Sequence, residues 1–145
     1  MQVHVLNGAN LDVLHRREPS LYGGLSLDEL ETRIYGWARE LGCTAVCRQT
    51  NHEGQFIDWL HDALDLRSGG VIVNPGAWTH YSYALRDAVD LIPLPVVEVH
   101  LSNLEEREED WRRQSVIADL VEKRIMGKGP EGYREALQFL VESAG

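Results

Sequence analysis

Short runs of β-branched and apolar residues, separated by stripes at helical spacing, constrain this chain more than any other feature. Val3-His4-Val5-Leu6 ends at Asn7-Gly8, Thr44 to Gln49 forms a second run, and Val71-Ile72-Val73 follows Gly69-Gly70. Pro95-Val96-Val97-Glu98-Val99 is the fourth, and a weaker one lies near Arg124 to Met126. Ser26, with Glu29 three positions on, makes a capping box ahead of the stripe Leu27, Leu30, Ile34, Trp37, Ala38, Leu41, which Gly42 ends. Further helices are expected from about Gln55 to Leu66, from Thr79 to about Asp90, over the charged stretch from Leu104 to about Val121, and from Pro130 to Val141. An all-apolar run such as Val71-Ile72-Val73 suits a strand buried on both faces. Strand and helix therefore alternate about five times, which predicts a doubly wound α/β sandwich around a parallel sheet. The 145 residues fit a single domain spanning the whole chain.

In such a sheet, ligands bind beyond the carboxyl ends of the strands. The residues after the first, third and fourth runs are accordingly the informative ones, and they are polar. After the first comes Asn7-Gly8-Ala9-Asn10-Leu11, then a long loop to Gly24 that carries Arg16, Arg17 and Tyr22. A loop of that length without evident secondary structure is often a lid, and Gly23-Gly24 would be its hinge. A phenol titrates near pH 10, and a cation within about 4–6 Å would lower that value toward a usable base.

After the third run lie Asn74-Pro75-Gly76-Ala77-Trp78-Thr79-His80. Asn74 is placed to orient a substrate, and His80, expected in the first helical turn, points to the same mouth. After the fourth, Glu98 and His100 stand two apart and so share one face of a strand. A carboxylate beside an imidazole favours the imidazolium that a general acid requires. Ser102 or Asn103 would cap the helix that follows.

Composition narrows the classes of function. The formal net charge of −9 argues against nucleic acid and anionic membrane surfaces as partners. No stretch approaches the roughly 20 apolar residues that span a bilayer, so a cytoplasmic protein is expected. Of fourteen basic residues only Lys123 and Lys128 are lysine, leaving twelve arginines. Both lysines fall late in the chain, away from any expected strand end, which disfavours chemistry through a lysine imine. Cys43 and Cys47, four apart in an expected strand, would stand about 13 Å from each other, too far for a disulfide. Buried thiols are expected there.

Taken together, these motifs resemble type II 3-dehydroquinate dehydratases. Asn7-Gly8-Ala9-Asn10-Leu11, Arg17-Glu18-Pro19 through Tyr22-Gly23, Asn51-His52-Glu53-Gly54 and Asn74-Pro75-Gly76-Ala77 with Thr79-His80 carry the resemblance. So do Ala84-Leu85-Arg86-Asp87-Ala88, Glu98-Val99-His100-Leu101-Ser102-Asn103 and Gly132-Tyr133, and the similarity runs from about Val3 to the last helix. The resemblance implies a flavodoxin-like fold with a five-stranded parallel sheet. It also implies anti elimination of water from an anionic cyclic hydroxy-ketone acid through an enolate, with no imine, metal or cofactor. Tyr22 would be the base, with Arg17 holding its phenolate, and Asn10 would position a water at the enolate oxygen. His100, supported by Glu98, would protonate the departing hydroxyl. Asn74 and the backbone of Leu101 and Ser102 would hold the carboxylate, while His80 and Arg112 would contact ring hydroxyls. The residue matching Asp87 reaches a neighbouring subunit's site, which implies trimers assembled into a dodecamer.

The chain departs from the family pattern at several places. Ala9 replaces a usual Pro and His15 a usual Gly, both in the loop. Trp111 replaces a Phe after an extra residue, Asp110, which makes Arg112 the best match to the substrate-contacting arginine, with Arg107 and Arg113 as alternatives. Glu122-Lys123-Arg124 is charged where the family is Gly-rich and apolar, and altered subunit packing is the expected consequence.

Other readings fit less well. A flavin or nucleotide module would want a hydroxyl- or glycine-rich phosphate turn after the first strand. A signalling receiver would want acidic residues at the places held by Asn7-Gly8 and Asn74. His52-Glu53 begins like a zinc-protease helix, but Phe56 stands where the second histidine belongs. A same-fold dehydratase acting on another cyclic hydroxy acid remains the alternative.

Overall fold

A computed structural model describes residues 1–64 and 68–144. Five strands, β1 (Gln2–Asn7), β2 (Thr44–Gln49), β3 (Ser68–Asn74), β4 (Val96–His100) and β5 (Lys123–Met126), form one sheet in the order β2-β1-β3-β4-β5. All neighbouring pairs are parallel. That order is the doubly wound one, and the winding reverses between β1 and β3, where ligand crevices open. The helices are α1 (Pro19–Tyr22), α2 (Leu27–Leu41), α3 (Glu53–Asp62), α4 (Tyr83–Asp90) and α5 (Glu131–Ala144).

The two sheet faces make two cores. Val3, Val5, Ile72, Val97 and Val99 pack against Leu30 and Ile34 of α2 and Leu137 and Leu140 of α5. Leu6, Val71, Val73 and Val96 pack against Phe56 and Leu60 of α3 and Leu85 and Val89 of α4. Strands β3 and β4 are buried almost throughout, as expected of central strands covered on both sides.

Local chemistry explains the helix bounds. Ser26 Oγ accepts from the Glu29 N–H at 3.2 Å and donates to the Glu29 carboxylate at 3.3 Å, and Gly42 ends α2 in the left-handed region. Helix α3 begins two residues earlier than expected, and its expected end at Leu66 lies outside the described residues. Thr79 does not open a helix. It lies within a 3-10 turn, Gly76–His80, and α4 starts only at Tyr83, where Ser82 Oγ accepts from the Leu85 N–H at 3.0 Å. His80 therefore closes the 3-10 turn instead of lying in the first turn of α4.

Two expectations are corrected outright. The loop after β1 is structured: Leu11–Arg16 form two short 3-10 turns that meet at a kink at Val13, and Pro19 opens α1 with the Glu18 carboxylate as its cap. The charged stretch from Leu104 to Val121 is not one helix. It holds 3-10 turns at Leu104–Glu106 and Asp110–Arg113, followed by bends and turns. Its backbone groups find distant partners instead of the next helical turn: Val116 N–H donates to Thr79 O at 2.9 Å, and Arg86 Nη1 donates to Val116 O at 2.7 Å.

The cysteines are free but half-buried, not buried, and Cys43 precedes β2. Burial pushes the Cys47 thiol up to about 12. Among the described residues no helix is long and apolar enough to cross a membrane.

Candidate active site

Register brings the site residues together. Asn7 and Asn74 are paired at the ends of β1 and β3, and the crevice opens directly above them. Tyr133 of α5, fully buried, donates to Asn7 Oδ1 at 2.6 Å and accepts from Asn74 Nδ2 at 3.0 Å. Asn74 Oδ1 accepts from the Gly76 N–H at 3.3 Å, so its amide is held from two sides. The two turns beyond these strands interlock through glycine. A Cβ on Gly8 would fall on the Pro75 carbonyl, and Gly76, at φ +65°, would bring one within 2.8 Å of the Ala9 carbonyl.

Asn10 sits at φ 70°, the sole non-glycine residue with positive φ among the described residues. Asparagine tolerates that conformation better than most residues, but it still stores strain. Asn51, two residues beyond β2, supports it: Asn51 Oδ1 accepts from the Asn10 N–H at 2.8 Å, and Asn51 Nδ2 donates to Asp12 at 3.0 Å.

Above these turns lies a cavity of 140 Å3, lined by Asn10, Arg17, Tyr22, Asn74, His80, His100, Leu101, Ser102 and Arg112, with Arg107 and Trp111 at its wall. Nine of the eleven expected site residues thus converge. Glu98 stands directly behind His100. Asp87 does not converge: it is exposed on α4 and does not line the cavity of its own chain.

Arg17 lies over the Tyr22 ring at 4.0 Å, and its Nη2 donates to the phenol oxygen at 2.6 Å. Arg107 Nη1 donates to the same oxygen at 3.2 Å and to Ser102 Oγ at 3.3 Å. A negative charge on that oxygen therefore meets two guanidiniums. This distributes the three candidate arginines. Arg107 is on the phenol, and Arg112 lines the cavity with its guanidinium over Trp111 at 4.2 Å. Arg113 turns away, onto the carbonyls of Arg107 and Glu108 and the Asp110 carboxylate.

On the same cavity, His100 Nε2 donates to Glu98 Oε2 at 2.6 Å. That bond fixes the tautomer and leaves Nδ1 for a ligand. Glu98 is wholly buried, and burial alone would push its carboxyl up. The hydrogen bond and charge of His100, the charge of Arg124 and the Ser115 hydroxyl outweigh burial and hold it below the ordinary carboxylate range. A depressed carboxylate contributes stability above its unfolded value near 4.3, and that stability is lost as pH falls through the folded value. Glu98→Gln is therefore expected to lower stability by about 2–3 kcal/mol at pH 7, with the gap to wild type closing below about pH 4. Urea unfolding at several pH values checks this, and a gap independent of pH would contradict it.

His80 Nδ1 lies 2.6 Å from the Gln114 carbonyl, so Nδ1 must donate and neutral His80 offers Nε2 as an acceptor. Burial lowers its pKa, the Gln114 carbonyl opposes that, and the nearby His100 and Arg112 lower it further. The two lysines are engaged elsewhere, both on Glu135, at 3.5 Å for Lys123 and 2.5 Å for Lys128. Among the described residues no group of three or more His, Cys, Asp or Glu is placed to hold a metal ion.

Sequence reasoning missed Asn51, Ser115, Arg124 and the Asn7–Tyr133 pair as supports of the site. Asn51 and Tyr133 stood in the quoted motifs but carried no role there, because nothing local says what they touch.

Comparison with known proteins agrees with this geometry. A family model described as Dehydroquinase class II matches residues 1–141. The chain is 49% identical over 138 residues to a 3-dehydroquinate dehydratase of Deinococcus radiodurans, covering 95% of this chain and 96% of that one. It is 51% identical over 141 residues to that of Thermus thermophilus, covering 97% and 94%. The crystal structure of type II dehydroquinase from Propionibacterium acnes superposes with a TM-score of 0.92 at 42% identity, over 97% of this chain and 96% of that one. With its five-stranded parallel sheet, its converging strand ends and these relatives, the chain belongs to the class II dehydroquinase family.

Proposed function

We infer that the chain is a hydro-lyase that eliminates water from 3-dehydroquinate to give 3-dehydroshikimate through an enolate. The observation that carries the reading is the meeting, on one small cavity, of a phenol under two guanidiniums and an imidazole backed by a buried carboxylate. An α-proton of a ketone is weakly acidic, so the base must be held as an anion and the developing enolate must be met by donors. Tyr22, as phenolate, takes the proton from the carbon next to the ketone, and the electron pair moves onto the ketone oxygen. Asn10 orients a water there. The enolate then re-forms the ketone, the carbon–oxygen bond of the adjacent hydroxyl breaks, and His100 delivers a proton from Nδ1 to the leaving oxygen.

Asn74 and the backbone of Leu101 and Ser102 take the carboxylate. Neutral His80 accepts from a ring hydroxyl through Nε2, and Arg112 contacts another. The imine route gains no support, because both lysines are ion-paired away from the cavity. Asp87 serves a neighbouring copy: it is exposed on α4, close in sequence to Tyr81, Tyr83 and Leu91, which are 59, 72 and 63% exposed. Trimers gathered into a dodecamer are the proposed assembly.

Ultraviolet absorbance of purified protein with 3-dehydroquinate tests the reading. A rise from the conjugated enone, unaffected by borohydride, is the expected outcome. No rise from folded protein would shift the assignment to another cyclic hydroxy acid. Light scattering on the same preparation tests the assembly, and a monomeric mass would remove Asp87 from the site.

A further inference from the structure

Glu98 has a partner from a strand that supplies nothing else to the site. The β4–β5 register sets Glu98 beside Arg124, so both side chains leave the same sheet face. Arg124 Nε donates to Glu98 Oε1 at 3.1 Å, and Nη2 stands 3.5 Å from Oε2. Ser115 Oγ donates to Oε1 at 3.0 Å, and the short bond on Oε2 is that of His100 at 2.6 Å. Arg124 does not line the cavity, and its side chain is 26% exposed against 0% for Glu98. The charged run at 122–124 thus turns one of its charges inward, onto the carboxylate behind the acid.

We propose that Arg124 is a positioning residue for the proton-donating step, acting through Glu98 on His100. The proposal rests on His100 as the acid. Two consequences follow from the geometry. With Oε1 held by Arg124 and Ser115, the carboxylate cannot turn, so Oε2 keeps the imidazole ring aimed with Nδ1 toward the leaving hydroxyl. The second consequence concerns charge. Before the transfer, buried Glu98 faces two cations, His100 and Arg124. When the Nδ1 proton passes to the leaving oxygen and water departs, His100 becomes neutral, and Arg124 alone compensates the buried carboxylate. A fixed cation there makes donation easier and leaves proton abstraction by Tyr22 untouched.

The test separates the two halves of the reaction. Substrate is incubated in deuterated buffer with Arg124→Met, Arg124→Lys, Glu98→Gln, the Glu98→Gln/Arg124→Met pair and His100→Ala. Dehydration is read by enone absorbance, and exchange of the α-hydrogen by mass spectrometry of recovered substrate. Arg124→Met is expected to lower kcat by about tenfold to a hundredfold, with KM little changed. Recovered substrate should carry more solvent deuterium per turnover than with wild type. Arg124→Lys should restore most of the rate. In the Glu98→Gln background, Arg124→Met should cost nothing further, since the two act as one unit. That doubly neutral variant also guards against a fold lost through an unpaired buried carboxylate, and circular dichroism checks all five.

Wild-type kcat in Arg124→Met overturns the proposal. So does a parallel fall of exchange and dehydration, or a loss that persists in the Glu98→Gln background. Normal dehydration by His100→Ala would instead overturn the acid assignment beneath it.

Discussion

Tyr22→Phe is expected to lower kcat by about three orders of magnitude, and to abolish exchange of the α-hydrogen with solvent in the same proportion. A positioned base contributes about 10²–10⁴ in rate, and two guanidiniums converge on the phenol oxygen of the proposed base. Arg17 donates to the phenol oxygen at 2.6 Å and stacks on the ring at 4.0 Å, and Arg107 donates at 3.2 Å. Phenylalanine keeps the ring and its packing but removes the sole atom that all these groups address. Tyr22 is half-buried at the rim of the core, so the fold should survive the change. Substrate affinity should move little, because the proposed carboxylate contacts, Asn74 and the Leu101–Ser102 backbone, are left intact. Near-normal turnover by Tyr22→Phe, measured by enone absorbance, would remove this residue from the mechanism.

His100→Ala should cost a similar factor in dehydration, about 10²–10⁴, yet leave α-hydrogen exchange largely in place. The enolate still forms, but it returns to substrate with a proton from solvent because the hydroxyl leaves poorly without an acid. The structure also indicates that this variant folds. Glu98 loses its 2.6 Å bond to His100 but keeps Ser115 at 3.0 Å and Arg124 at 3.1 Å, so the buried carboxylate is not left bare. Loss of exchange in Tyr22→Phe and its survival in His100→Ala, with dehydration falling in both, would divide base from acid on independent grounds. Loss of both activities in His100→Ala would mean that the imidazole takes part in proton abstraction, and the roles would need to be redrawn.

Much of the molecule was legible in the residues because the governing physics is local. Helix α2 follows from a capping box, a stripe and a terminal glycine, and β2 runs over the expected Thr44–Gln49. The cluster Tyr22, Arg17, Asn10, Asn74, His80 and His100 was reached because parallel strands deliver their carboxyl ends to one edge. Misreadings arose where backbone groups are satisfied at a distance. Glu- and Arg-rich residues 104–121 have good helical propensity, but His80 bonds the Gln114 carbonyl and Thr79 accepts from Val116, and those partners win. The α1 turn was missed although its signal, Glu18 ahead of Pro19, was present.

The sequence by itself determined the strands, most helices, the chemical character of each strand end and the family. Periodicity, caps and side-chain chemistry are written residue by residue. Only the tertiary structure decided who touches whom. It set Asn7 beside Asn74 under Tyr133, Asn51 against the strained Asn10, and Arg107 as a second arginine on the phenol. It also set Arg124, part of a charged run expected to alter subunit packing, against Glu98. Strand register and chain crossing place such pairs, and both are settled only when the two cores close together.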